Sequence, residues 1–116
     1  MSNQLVVLTG DACCTPIARE RMPAETAAVL APAFKALGDP VRLQLMSMIA
    51  SAPEGEICVC DLTPAFELSG PTISHHLRTL REAGLVDADR RGTWVYYRAR
   101  PGVLQQLATL LSVDSA

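Results

Sequence analysis

Residues 69–84 read SGPTISHHLRTLREAG, and this stretch decides the fold. Ser69 offers a side-chain acceptor at a helix start, Pro71 is tolerated in a first turn, and Gly84 suits the residue just past a helix end, so the pattern predicts a helix to Ala83. Stepping 100° per residue from Ile73 brings Leu77 and Leu80 within about 40° of it, which makes one buried stripe. Pro71, His75, Arg78 and Glu82 fall on the opposite side. Thr72, Ser74, Thr79 and Arg81 flank the stripe, and His76 lies at its edge, where a histidine satisfied between helices is expected. The outer face therefore carries hydroxyls, an imidazole and a guanidinium, groups that hydrogen-bond base edges and phosphates. Thr72, Ser74, His75 and Arg78 are the candidate nucleic-acid contacts on this helix, a solvated polar face being the plainer alternative.

Working outward toward the N-terminus, Leu68-Ser69-Gly70 reads as a tight turn after a short helix over Asp61–Leu68. Pro64 is allowed there in the first turn, and Leu62 and Phe66 form its inward i, i+4 pair. Glu56–Cys58 is a short extended piece after the Pro53-Glu54-Gly55 turn. Asp39-Pro40 starts a helix that runs to about Ala52 and is expected to bury Leu43, Met46, Ile49 and Ala50. Val29, Leu30, Ala33, Phe34 and Leu37 mark a helix over Ala24–Leu37, with Pro32 a source of bending and Gly38 closing it. Toward the C-terminus, Leu85–Asp89 and Thr93–Arg100 read as two strands around an Arg90-Arg91-Gly92 tip. Trp94, Tyr96 and Arg98 share one face of the second strand, and Val95, Tyr97 and Ala99 share the other. Pro101 opens a last helix with Val103, Leu104, Leu107, Leu110 and Leu111 on one broad face. The order is that of a winged helix-turn-helix, mainly α with a small β-hairpin, whose reading unit is the helix pair around residue 69. The expected division is an arm over 1–22 bearing a cysteine pair, a folded DNA-binding and dimerisation domain over 23–112, and a short tail over 113–116.

The chain has 116 residues, 49% of them apolar, which suits one domain with a real core. The long apolar run of a bilayer span is missing, and the N-terminus lacks the basic and apolar regions of a secretory signal, so a cytosolic protein is expected. The net charge of −2 hides an asymmetry. Residues 1–67 hold eight acids and four bases, whereas residues 68–100 hold six arginines and three acids. A local arginine stripe on an acidic chain is what phosphate contact requires, and Arg90 and Arg91 at the hairpin tip suit a minor groove or a phosphate clamp.

Four cysteines occur as two tight pairs, Cys13-Cys14 and Cys58-Val59-Cys60. In a cytosolic protein such clusters point to metal or redox chemistry before structural disulfides. Cys58 closes the extended piece and Cys60 opens the next helix, where N–H groups and the helix dipole favour thiolate. Three or four thiolates would form a soft site that prefers thiophilic ions. The CxxC spacing of a zinc ribbon is absent.

The strings FKALGDPVRLQLMSMIA, EICVCDL and GPTISHHLRTLREAGLVDADRRGTWVYYR resemble the ArsR/SmtB family of bacterial metal-responsive repressors over about residues 33–112. The resemblance implies a cytoplasmic homodimer, joined through its terminal helices, that binds an inverted-repeat double-stranded operator and is released by its inducer. CVCDL is similar to the site of arsenic- and antimony-sensing members and also of cadmium- and lead-sensing ones, so As(III) or Sb(III) is the expected inducer, with Cd(II) or Pb(II) the alternative. Many arsenic sensors carry a third cysteine three residues after the second; here that position is Thr63, so the missing thiolate is expected from Cys13-Cys14, acting together with Cys58, Cys60 or both. The Asp/His zinc site of other members is absent, since residues 101–116 hold no histidine and one acid. Three other readings use the same residues: a redox-sensing repressor with an arm-to-helix disulfide, a thiol enzyme, and a DNA-binding module without a ligand.

Overall fold

A computed structural model describes residues 15–113. Asp39 sets the first decisive boundary. Its carboxylate accepts from the N–H groups of Val41 at 2.9 Å and Arg42 at 3.1 Å, and Pro40 fills the first helical position. The hydrogen bond from the Arg42 N–H is the main reason the Asp39 carboxyl titrates below its ordinary range. Helix α1 (Ala24–Leu37) precedes this cap and runs through Pro32 as one segment, and α2 (Pro40–Ala50) follows it. Then come β1 (Ile57–Cys58), α3 (Val59–Leu62), a 3₁₀ turn over Thr63–Ala65, and α4 (Gly70–Glu82). Strands β2 (Val86–Arg91) and β3 (Trp94–Ala99) and helix α5 (Pro101–Leu110) complete the chain.

Helix α4 follows the sequence reading closely. Ser69 Oγ accepts from the Thr72 N–H at 3.3 Å, and Ile73, Leu77 and Leu80 are all 0% exposed. At the other end Gly84 takes φ +82°, donates to the Arg81 carbonyl at 3.0 Å, and lets Leu85 donate to the Leu80 carbonyl at 3.1 Å. This is the double closure that a left-handed residue after a helix makes, and it drops Leu85 into the core. The core joins Leu30, Ala33 and Ala36 of α1, Leu45, Met46 and Ile49 of α2, Leu62, the α4 stripe, Leu85 and Val86, and Val103, Leu107 and Leu110 of α5. No helix among the described residues is long and apolar enough to cross a membrane.

The sheet has three antiparallel strands in the order β1-β3-β2. The expected extended piece at Cys58 is thus a third strand, pairing Ile57 with Tyr97 and Cys58 with Tyr96. Pairing in β2 continues to Arg91 opposite Trp94, so the turn is Gly92-Thr93 and not Arg90-Arg91-Gly92. Gly92 carries φ +64°, the conformation a two-residue hairpin turn needs at its first position.

Three further expectations are corrected. On α2, Leu45 is buried, while Leu43 is 55% exposed and Ala50 faces solvent. Apolar residues surround that helix, so its inward side has no contrast to betray it. The short helix ends early: it begins at Val59, tightens at Pro64, and Phe66 is already extended, covering the core from outside the helix rather than pairing with Leu62 on one face. Leu111 lies past the end of α5 and is 53% exposed. Part of the expected arm is ordered against this end, since the Ile17 N–H donates to the Leu110 carbonyl at 2.9 Å.

Truncating the buried Leu45 to Ala is expected to lower the unfolding free energy by about 2–5 kcal/mol, whereas Leu43→Ala costs about 0.5 kcal/mol or less. Urea unfolding of the two variants side by side checks which side of α2 is inward.

Candidate nucleic-acid interface and thiol centre

Burial of Ile73, Leu77 and Leu80 leaves Thr72, Ser74, His75 and Arg78 exposed together on α4. Thr72 Oγ1 is 2.9 Å from Ser69 Oγ, and the backbone carbonyl of His75 accepts from Thr79 Oγ1 at 3.2 Å. His76 sits at the edge of the core, as its helical angle predicts. Its Nδ1 lies 3.2 Å from the Arg42 guanidinium, whose Nε donates to the Ala36 carbonyl at 2.7 Å. Arginine can only donate, so Nδ1 accepts and the ring proton of the neutral imidazole belongs on Nε2. His76 therefore ties α4 to the junction of α1 and α2, while His75 faces outward.

The hairpin separates the two arginines that the sequence placed together at its tip. Side chains alternate along β2, so Arg91 shares the outer face with Asp87 and Asp89, and Arg90 lies on the opposite face. Arg90 is exposed, with its NH1 group 3.5 Å from the Gly92 carbonyl. Arg91 is committed elsewhere. Its two terminal nitrogens donate to the two carboxylate oxygens of Glu56 at 2.7 Å each, its Nε donates to Asp89 at 3.0 Å, and its guanidinium lies 4.5 Å over the Tyr96 ring. The Arg91 hydrogen bonds hold the Glu56 carboxyl below its ordinary range, and the same bonds raise the Arg91 guanidinium further. Arg98 stands 3.7 Å from Glu56, and Arg100 donates to Asp87 at 3.0 Å. Sequence reasoning missed Glu56, because its partner is 35 residues away and nothing local signals the pairing.

Cys58 and Cys60 are brought together. Cys58 caps α3, accepting from the Cys60 N–H at 3.1 Å, and the two sulfurs are bonded with their Cα atoms 5.1 Å apart. Cys58 is 4% exposed, whereas Cys60 faces solvent. Thr63, where a third sulfur would stand, turns its hydroxyl back to the Val59 carbonyl at 3.0 Å. Cys13 and Cys14 lie outside the described residues. Among the described residues no group of three or more potential metal ligands occurs.

A profile described as "Bacterial regulatory protein, arsR family" matches residues 39–88, which hold the Asp39 cap, the sulfur pair and all of α4. The arsenic resistance transcriptional regulator ArsR1 of Pseudomonas putida is 51% identical over 78 residues, covering 67% of this chain and 59% of that protein, so the match spans less than two thirds of its length. Among solved structures, the AntR antimony-specific transcriptional repressor superposes with a TM-score of 0.63 at 30% identity, covering 78% of this chain and 80% of that one. The chain belongs to the ArsR family. The homodimeric winged helix-turn-helix DNA-binding domain from Mycobacterium bovis matches with a TM-score of 0.60 at 33% identity, over 77% of this chain and 83% of that one. The ArsR family consists of DNA-binding transcriptional regulators and not of enzymes, which removes the thiol-enzyme reading.

The depressed Glu56 carboxyl carries a signed pH dependence. A folded-state pKa below the unfolded one contributes stability that is present above the unfolded value and is lost as pH falls through the folded value. The gap in urea midpoint between the protein and Glu56→Gln should therefore be open at about pH 6 and close only as pH drops below the ordinary glutamate range of about 4.3. A gap constant down to acid pH overturns the assignment.

Proposed function

We propose that the protein is an operator-binding homodimeric repressor that releases DNA when As(III) or Sb(III) is held by cysteine thiolates at the start of α3. The observation that carries this reading is the convergence of the Cys58 and Cys60 sulfurs at the first helix of the reading unit. Bound there as reduced thiols, the pair supplies two soft donors, and a metalloid that prefers three sulfurs takes the remainder from Cys13 or Cys14. The similarity to ArsR1 and to an antimony-specific repressor supports the metalloid over Cd(II) or Pb(II). On the DNA side, Thr72, Ser74, His75 and Arg78 enter a major groove and Arg90 meets the backbone or minor groove beside it. Arg91, turned onto Glu56, fixes the wing rather than reading the duplex. Exposed Ile17, Leu111 and Val113 at the end of α5 support a dimer through the terminal helices, whose two-fold symmetry calls for an inverted-repeat operator in the cytoplasm.

Moving a repressor from almost wholly bound to almost wholly free takes a differential affinity of about 5.5 kcal/mol, whereas the usual coupling of about 1–3 kcal/mol weakens binding about tenfold to a hundredfold and moves the occupancy part of that way. The sulfur–sulfur bond between Cys58 and Cys60 supports a second reading, in which oxidation of the same pair is the signal.

Fluorescence anisotropy on a labelled duplex selected by the protein from random sequence tests the reading. Sodium arsenite is expected to weaken binding about tenfold to a hundredfold, with Cys58→Ser/Cys60→Ser abolishing the response. Arg78→Ala should weaken binding and reduce the salt slope by about one. An unchanged response in the double cysteine variant misplaces the site. Release by diamide without arsenite favours the oxidative reading. The absorption spectrum of the arsenite- or cadmium-loaded protein counts sulfurs: three favour the metalloid and four favour the divalent ion.

A further inference from the structure

Side chains alternate along strands, and register partners share a face, so Glu56 and Cys58 lie on the same side of the sheet as Tyr96, Arg98, Asp89, Arg91 and Trp94. Cys58 is opposite Tyr96, Tyr96 is opposite Asp89, and Arg91 is opposite Trp94. Beside the packing of α3 against β3, two connections run from the sulfur pair to the wing. One is the backbone ladder of β1, two residues long. The other is the fork in which both oxygens of Glu56, two residues before Cys58, receive both terminal nitrogens of Arg91 at 2.7 Å. Arg91 in turn lies over Tyr96 and holds Asp89, so the fork grips the outer half of the hairpin as a unit.

We propose that Glu56 is a positioning residue that transmits the state of the Cys58–Cys60 sulfurs to the wing through its fork with Arg91. The proposal rests on the reading that the wing docks on DNA, but not on which agent acts at sulfur. An exposed ion pair adds little to stability, yet a bidentate arginine–carboxylate pair fixes both distance and plane. The short ladder and the packing of α3 on β3 keep Cys58 beside the hairpin, and the fork adds a fixed geometry between Glu56 and Arg91 through which a displacement of Cys58 is passed to the outer half of the wing. The stack of Arg91 on Tyr96 carries that displacement to Trp94 at the turn. Charge alone is not sufficient: lysine in place of Arg91 keeps the charge and loses the fork.

The chain has one tryptophan, Trp94, which is 51% exposed and sits opposite Arg91, so its emission reports on the wing. Two perturbations at sulfur are applied. In Cys13→Ser/Cys14→Ser protein, diamide takes two electrons and two protons as the Cys58 and Cys60 thiols join, and a phosphine reductant reverses this. In the full chain, sodium arsenite is added to the reduced thiols. The expected result is a shift in Trp94 emission and at least a tenfold change in affinity for the selected duplex. Glu56→Gln, Arg91→Gln and Arg91→Lys should each cut that ratio at least fivefold while thiol titration still counts both cysteines. Combining Glu56→Gln with Arg91→Gln should cut it no further, and the salt slope of Arg91→Gln should equal that of the parent. Undiminished coupling in Glu56→Gln, additive losses in the double variant, or a salt slope lowered by about one in Arg91→Gln overturns the proposal. A response to diamide without one to arsenite refutes the metalloid reading and leaves the coupling standing. A response to neither in the parent overturns the coupling itself.

Discussion

Burial of Ile73, Leu77 and Leu80 orients everything that the protein offers to solvent on α4. A helix has one rotation about its axis at which three large aliphatic side chains leave water together, and the opposite face then has no freedom of its own. Each fully buried leucine or isoleucine is worth about 1.5–3 kcal/mol, far more than any single hydrogen bond of the polar face. The left-handed turn at Gly84 and the burial of Leu85 extend the same constraint into β2, so the helix and the wing share one anchor.

The sulfur pair sits where that anchored unit meets its least supported neighbour. Cys58 is at once the last residue of a two-residue strand, the cap of a four-residue helix and a buried side chain. A short strand and a short helix have little cohesion of their own and take their positions from what they touch. Under the proposed function, chemistry at Cys58 and Cys60 would act on these two short elements, with Leu62 holding the far end of α3 in the core.

Charge on the wing is divided by the alternation of the strand. Arg90 and Arg91 are neighbours in sequence and opposites in space, one facing solvent and one turned into a lattice with Glu56, Asp89 and Tyr96. The arginines over residues 68–100 thus differ in what holds them. Arg78, Arg90 and Arg91 all lie on exposed surface, and Arg91 and Arg100 hold carboxylates of the protein itself.

Much of the architecture was legible in the residues because local signals agreed with one another. The Asp39-Pro40 start, the Ser69 cap, the Gly84 stop and the 3.6-residue stripe on α4 each depend on neighbours within a few positions, and the placing of Tyr96 and Tyr97 on opposite faces of β3 followed from strand alternation, while the fold decided that Tyr97 packs on the core. The polar face of α4 and the CVC pair were legible for the same reason, and the resemblance they supported led to the family. What failed was non-local or lacked contrast. Helix α2 is apolar around its circumference, so only the neighbours it packs against decide that Leu45 turns in and Leu43 out. The hairpin turn moved past Arg91 because pairing with Trp94 extends β2 beyond what the turn residues announce. Glu56 acquired its role from an arginine 35 positions away, a partnership created when β1 joined β3. Sequence by itself determined the elements and the chemistry of their faces, since caps, periods and turn residues act over a few residues; tertiary structure alone decided which charges are free and which are spent, since ion pairs form between side chains that only folding brings together.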